Sequence, residues 1–337
     1  MRIPFSRTVI AAGALLALAL ANSASAQTEI TLAHDHAETS THHQAALRWK
    51  ELVETRSDGQ MTVEVFPASL LGSGTQMIEQ AQAGAIQAVL LPTGWVAPFA
   101  PTVSVLDLPF LFPSREIAYE VIDGEVGQEI LRPLQDVNLH GVAFLESGFK
   151  QFTGNFAISE PADFEGHRIR TMPSPVIQQQ FKAFGAVPTS IDFAELYTAL
   201  QQAVVDGQEN PIATIADMRF YEVQDYMALS DHGFLAYVFM FNKEFFDSQP
   251  DEMQTMLRDA ALEAAQYQRD IIREAEAKHL ETFKEAGLEI QELTDEQRAA
   301  FEEASQPVYE WYKGEYSPET LQLIQDAVGE LTGNGSN

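Results

Sequence analysis

From Ser248 to Gly287 the sequence keeps one helical pattern for about 37 residues, which at roughly 1.5 Å per residue would reach some 55 Å. Ser248 is placed to cap it, Asp251 and Glu252 suit its first turn, and Gly287 follows its end. Met253, Leu257, Ala260, Ala264, Tyr267 and Ile271 fall on one stripe. A rod of that length outruns a single lobe, so the rest of the chain has to supply two bodies for it to bridge. A length of 337 residues, 45% of them hydrophobic, allows one large or two medium domains with a sizeable core.

The remaining segments alternate strand and helix, which is α/β grammar. Glu29 to Ala33 reads as a first strand. A helix follows on Ala45, Ala46, Trp49, Leu52 and Val53, ending near Ser57-Asp58-Gly59. Met61 to Phe66 alternates as a strand, Gly72-Ser73-Gly74 opens a helix through Met77, Ile78 and Ala81, and Ala85 to Leu91 is a short buried strand. A proline-punctuated stretch then holds Trp95, Phe99, Phe110 and Phe112. Glu116 to Leu134 is helical in pattern and Gly141 to Glu146 is a strand.

The second half repeats this order. His167 to Met172 is a strand, and Ser174 with Pro175 starts a helix whose buried face is Ile177, Phe181 and Phe184. Asp192 to Glu195 has capping-box spacing before a helix with Leu196, Leu200 and Ala203 inside. Gln82–Ala88 and Gln201–Gly207 occupy equivalent helix-to-strand junctions, a pseudo-repeat that implies two similar lobes. Phe234 to Phe241 is an aromatic strand leading into the long helix.

Residues 1–26 read as a secretory signal peptide. Arg2 and Arg7 form a basic start, Val9 to Leu20 is uncharged and mostly apolar, and Ala24-Ser25-Ala26 offers a cleavage site. The apolar run is shorter than the roughly 20 residues of a membrane span. With no cysteine there is neither a disulfide framework nor a lipid attachment point, so a free periplasmic protein is expected. The formal charge of −29 makes nucleic acid and anionic lipid unfit partners. It also makes the basic residues informative, because an anion would have to be held by a local pocket against the overall field. Between Arg132 and Arg219 the only basic residues are Lys150, Arg168, Arg170 and Lys182.

Of these, Arg170 stands near the carboxyl end of its predicted strand, since Pro173 and Pro175 stop it. In open α/β sheets that is where ligands bind. A guanidinium there is a planar fork matched to a carboxylate; the competing reading is a solvated strand arginine. Catalytic signatures are missing: no Gly-x-Ser-x-Gly elbow, no His-Glu-x-x-His helix, no phosphate-binding glycine loop. The exception is His34, His36, His42 and His43, dense enough to hold Zn²⁺ or Ni²⁺ and so to serve a periplasmic metal-dependent enzyme, or else imidazoles lining a cleft.

Several stretches, in order, carry a resemblance: Arg56–Gly59 with Val65–Gly72, Leu106–Phe112, Pro161–Arg170, Glu195–Gln201, and Val205-Asp206-Gly207-Gln208-Glu209-Asn210-Pro211. Together they are similar to the solute-binding receptors of tripartite ATP-independent periplasmic (TRAP) transporters, over essentially the whole mature length. The resemblance implies an α/β, two-lobed, type II-like binding protein with a long helix spanning both lobes. Lobe 1 would be residues 27–150 with 238–275, lobe 2 residues 151–237 with 276–330, and 331–337 a disordered tail. It implies a monomer without cofactor that closes on an organic acid and hands it to membrane subunits driven by a sodium gradient. A receptor for an ATP-driven importer is the other transport reading.

The resemblance also implies residue roles. Arg170 would grip the ligand carboxylate, Asn210 would support the same group, and Phe193 would pack on the ligand. Asp35 would face the cleft and accept from a ligand hydroxyl or ammonium, and Trp95 would form a wall. Phe156 stands where sialic-acid receptors carry a second arginine, and Lys150 where many members carry arginine; both are expected at the ligand. The ligand classes that fit are a hydroxy or keto acid, a sugar acid, or an ectoine-like zwitterion caged by aromatics.

Overall fold

A computed structural model describes residues 27–316 and 318–333. The predicted signal peptide, and residues 334–337 of the expected tail, lie outside the described residues.

Strand β1 (Thr28–His34) runs parallel to β2 (Met61–Phe66) and β3 (Ala88–Pro92). β3 then pairs antiparallel with β9 (Phe234–Asn242). The pivotal element is β4 (Leu139–Gly154), predicted as six residues but 16 long. Its first part pairs with β9, from Leu139 opposite Asn242 to Phe149 opposite Phe234. From Lys150 onward it changes partner, pairing with β7 (Gly207–Pro211) and β8 (Tyr226–Leu229). β5 (Arg168–Thr171) lies parallel between β7 and β6 (Val187–Ser190), and β8 takes β10 (Glu289–Glu292) on its other side. One strand thus serves two sheets, and the molecule is two-lobed and α/β.

The pseudo-repeat is real in three dimensions. β3 and β7 each have five residues, end on a proline, and pass into short helices, Thr93–Val96 and Ile212–Asp217. Each is entered from a helix that ends through a left-handed residue, Gly84 (φ 76°) and Ala203 (φ 52°). Ala203 therefore lies beyond its helix, Leu196–Gln201, rather than on that helix's inner face.

The long helix, Asp251–Ala286, bridges both lobes. Near its start Trp49 donates to the Leu257 carbonyl at 3.3 Å. At its middle Gln268 bonds both backbone groups of Glu146, at 2.6 and 3.2 Å, where β4 bulges between Glu146 and Gly148. Near its end Phe283 stacks on Tyr221 at 5.0 Å, in the second apolar cluster with Phe193, Leu196 and Phe220. Side-chain amides there replace the ladder bonds that a bulge forfeits.

Local expectations failed where tertiary partners intervened. Ser248 closes the preceding helix, Lys243–Ser248, and the long helix begins after Pro250 without a side-chain cap. The helix predicted over Glu116–Leu134 breaks at Gly124 into Arg115–Asp123 and Glu125–Leu131. The capping box at Asp192 does not form; Phe193–Glu195 is a 3₁₀ turn without a side-chain cap. The proline-rich stretch contains helical turns, Thr93–Val96 and Pro101–Asp107. Two further helices close the chain, Asp295–Glu315 and Pro318–Thr332, so residues 331 and 332 are helical rather than tail. The first packs on Pro175–Ala183, while the second lies against Arg115–Asp123 and against the first.

Gly207 lies close against β4: a Cβ there would meet the Thr153 carbonyl oxygen at 2.5 Å. Gly207→Ala is expected to force the strands apart and lower stability by about 1–3 kcal/mol, read as a lower urea midpoint with an unchanged m-value.

Candidate functional site

The carboxyl ends of β1, β5 and β7 carry the predicted residues toward one another. Asp35 and His36 follow β1, Arg170 is the penultimate residue of β5, and Asn210 the penultimate residue of β7. Alternation puts Ile169 in the core and sends Arg170 the other way, and termination by Pro173 leaves the guanidinium at the edge. Phe193 comes from the turn after β6, and Tyr237 from β9.

Arg170 is 3% exposed. Its Nε donates to the Ile191 carbonyl at 2.9 Å, while its buried Nη2 has no hydrogen-bond partner among the described residues. Cζ lies 5.9 Å from the centre of the Phe193 ring. Burial lowers its pKa to about 10, opposed by Asp35 and Glu209, so it stays charged at neutral pH. Arg168, on the same face by alternation, is exposed at the strand's start and is taken up by Asp206 at 2.6 Å.

Asp35 is buried, and its Oδ1 lacks a partner among the described residues. Burial pushes its pKa up to about 7, against the pull of its own backbone N–H, Arg170 and Tyr237. The Tyr237 hydroxyl also meets His36 Nε2 at 2.7 Å. His36 stacks on His42 at 3.9 Å and tilts against Phe193 at 5.4 Å. This joins a histidine of the first lobe to an aromatic ring of the second.

The four histidines form two pairs rather than a convergent set. His34 Nε2 and His43 Nδ1 are 3.0 Å apart, and His36 lies on His42. Burial lowers His34 and His42 to about 3 and His36 well below its usual value, so these rings are neutral at pH 7. Among the described residues no three His, Asp or Glu side chains are arranged to hold a metal ion. The predicted cluster packs as two ring pairs, His34 with His43 and His36 with His42.

Lys150 is placed differently from the expectation. It is 1% exposed, and its ammonium is 2.5 Å from Glu209 Oε1. Glu209 Oε2 accepts from His232 Nε2 at 2.7 Å and from Gln180 at 3.0 Å. Ser230 sits 2.7 Å from His232 Nδ1. With His232 lowered to about 4 by burial, the neutral ring donates from Nε2 and accepts at Nδ1. Burial alone would raise Glu209, but Lys150 and His232 outweigh it and hold the carboxyl at about 2. Lys150 is thus an internal counter-ion to Glu209.

Phe156 is not brought to the site. It stacks on His167 at 3.8 Å, at the amino end of β5, opposite Arg170. Trp95 is buried on Gly74, where a Cβ would lie 2.6 Å from the indole. Its neighbour Gly94 abuts Met172, just past β5, close enough that a Cβ would meet Met172 Cε at 2.7 Å. Asn210 donates to Gln208 and is 4% exposed.

Sequence reasoning missed Tyr237, Glu209, His232 and Asp107. Asp107 accepts from Thr93 at 2.5 Å and from Ser174 at 2.7 Å, tying the first lobe to the second. The signal was there for two of them: Tyr237 is the one hydroxyl in Phe234–Phe241, and Glu209 is a charge inside a buried strand.

A family profile described as bacterial extracellular solute-binding protein, family 7, matches residues 32–315. This chain belongs to that family. Among family 7 relatives, the C4-dicarboxylate-binding periplasmic protein DctP of Rhodobacter capsulatus is 36% identical over 93% of this chain and 96% of its own. The 2,3-diketo-L-gulonate-binding periplasmic protein YiaO of Escherichia coli is 34% identical over 85% of this chain and 87% of its own. A TRAP periplasmic solute-binding protein from Desulfovibrio salexigens with bound orotic acid superposes with a TM-score of 0.87 at 33% identity, covering 90% of this chain and 99% of that one. The sugar-acid-binding protein of Advenella mimigardefordensis, in complex with galactonate, gives 0.86 at 33% identity over 90% and 98%. The two-lobed TRAP receptor fold is therefore this chain's fold.

Lys150→Met would strand Glu209 in the core of this family 7 protein, at an expected cost of about 3–5 kcal/mol. Because Glu209 is lowered from about 4.5 to about 2 on folding, its contribution is present above pH 4.5 and is lost as pH falls toward 2. Urea midpoints of wild type and variant should therefore differ most at neutral pH and converge on acidification.

Proposed function

We propose that this protein is a periplasmic receptor of a TRAP transporter that captures an organic acid between its lobes and delivers it to the membrane subunits. The observation that carries the reading is Arg170: a buried guanidinium at a strand's carboxyl end, with an Nη2 donor that no described residue uses. A carboxylate would satisfy that donor and the charge together. Asn210, at the end of the adjoining strand β7, would support the same carboxylate, and Phe193 would pack against the ligand body.

Support comes from the relatives, which include proteins named for or solved with C4-dicarboxylates, diketogulonate, orotic acid and galactonate, all of them acids. The leader over residues 1–26 would export the chain, and a sodium gradient would drive the membrane step. No chemical step is assigned to the site; its polar groups hold and orient.

Ligand binding should raise the unfolding temperature by mass action. Arg170→Ala is expected to abolish the shift for every carboxylate, since loss of a charge-paired contact in a closed site costs about 2–5 kcal/mol. Arg170→Lys keeps the charge without the fork and should fall between. Isothermal titration across hydroxy, keto and sugar acids gives the measurement; undiminished affinity in Arg170→Ala would refute the assignment.

A further inference from the structure

Arg170 is fixed through Nε by the Ile191 carbonyl, while its Nη2 has no partner among the described residues. A planar guanidinium on a flexible stem, bonded at one nitrogen, takes its orientation from the surface it lies over. That surface is Phe193, whose ring centre is 5.9 Å from Cζ. Phe193 opens a short turn that lacks a side-chain cap, so its ring depends on neighbours to keep it in place. In its own lobe it meets Phe220, edge-on at 6.0 Å. From the first lobe it meets His36 at 5.4 Å with 53° between the planes, inside the range over which two rings attract.

His36 is itself firmly held. Its carbonyl accepts from the Ala68 N–H at 2.8 Å, its ring lies flat on His42 at 3.9 Å, and its Nε2 meets the Tyr237 hydroxyl at 2.7 Å. The side chain is fully buried, and burial keeps the imidazole neutral. With Nδ1 unpartnered among the described residues, the ring proton belongs on Nε2, where the tyrosine oxygen accepts it. A charged ring would add a buried donor at Nδ1 with nothing to receive it. β1, which precedes His36, pairs within the first lobe, and β6, which precedes Phe193, pairs within the second. No ladder bond therefore enforces the meeting of the two rings.

We infer that His36 is a positioning residue for ligand capture: a ring made rigid by the first lobe braces Phe193 of the second, and so holds the Arg170 fork in the orientation that offers its unpartnered Nη2 to an anion. This inference rests on Arg170 being the carboxylate anchor. The brace acts through Phe193, at one remove from the ligand. It therefore scales affinity for every acid by one factor and leaves the preference among acids alone. The lobes divide the work, the second carrying the charge and the first fixing its direction, and the anchor is preorganised only with the lobes together.

The test is calorimetric titration of the mature protein, of His36→Ala, of Phe193→Leu and of the double variant, against a panel of acids that includes D-galactonate, succinate and orotate. Folding of each variant is checked by its thermal transition. Should His36→Ala fail to fold, His36→Gln, which removes the ring but retains a donor for Tyr237, takes its place. His36→Ala is expected to weaken every acid that wild type binds by about tenfold, with the factors agreeing within about threefold. In the Phe193→Leu background the same change should cost no more than about twofold, because no ring remains to be braced. An equal cost in both backgrounds would overturn the inference, as would wild-type affinity in folded His36→Ala. So would a cost that differs widely among acids, since His36 would then touch the ligand itself. Each of these leaves the anchor standing if Arg170→Ala still abolishes binding. Full affinity in Arg170→Ala, or a wild type that binds no acid of the panel, would instead sink the anchor and the brace together.

Discussion

A single strand hydrogen-bonded into two sheets is the constraint on which the rest of this molecule depends. β4 gives its first eleven residues to β9 and its last five to β7 and β8. Breaking that strand would cost both sheets their ladders at once, so the lobes are tied together along it. The bulge at Glu146–Gly148 lies just before the change, with Gly148 at a φ of 106°. The long helix supplies Gln268 to the bulge, and that is the mechanical reason a helix of 36 residues is present.

From this crossing follows the position of the candidate site. Parallel strands on either side of β4 and β9 run their carboxyl ends toward each other, so Asp35 of one lobe and Arg170 of the other are close enough for each to act on the other's charge. With the lobes together, Asp107 joins Thr93 to Ser174, and Gly94 lies against Met172. Burial of the guanidinium raises the energetic stake of whatever anion meets it.

The second lobe shows how a buried cation is kept available. A guanidinium near an unneutralised Glu209 would turn to it. Lys150, His232 and Gln180 occupy that carboxylate from three directions and leave Arg170 with only the Ile191 carbonyl. A lysine is a point charge, and the imidazole and the amide complete the shell around Glu209.

The sequence by itself determined the alternation of strands and helices, the bridging helix, the strand-end place of Arg170 and the family. Those features are written in local periodicity, in proline and glycine stops, and in motifs whose order survives without knowledge of contacts. Only the tertiary structure decided that Lys150 is an internal counter-ion, that Phe156 stacks at the amino end of β5, that His34, His36 and His42 are buried and neutral, and that Tyr237 and Asp107 join segments far apart in the chain. It also decided where Ser248 and Asp192 fail as caps. The physical reason is common to all of these: a side chain's charge state and partner are set by the groups that long-range strand pairing brings within a few ångströms. Lys150 and Glu209 are 59 residues apart, and His36 and Tyr237 are 201 apart. No local pattern records such distances.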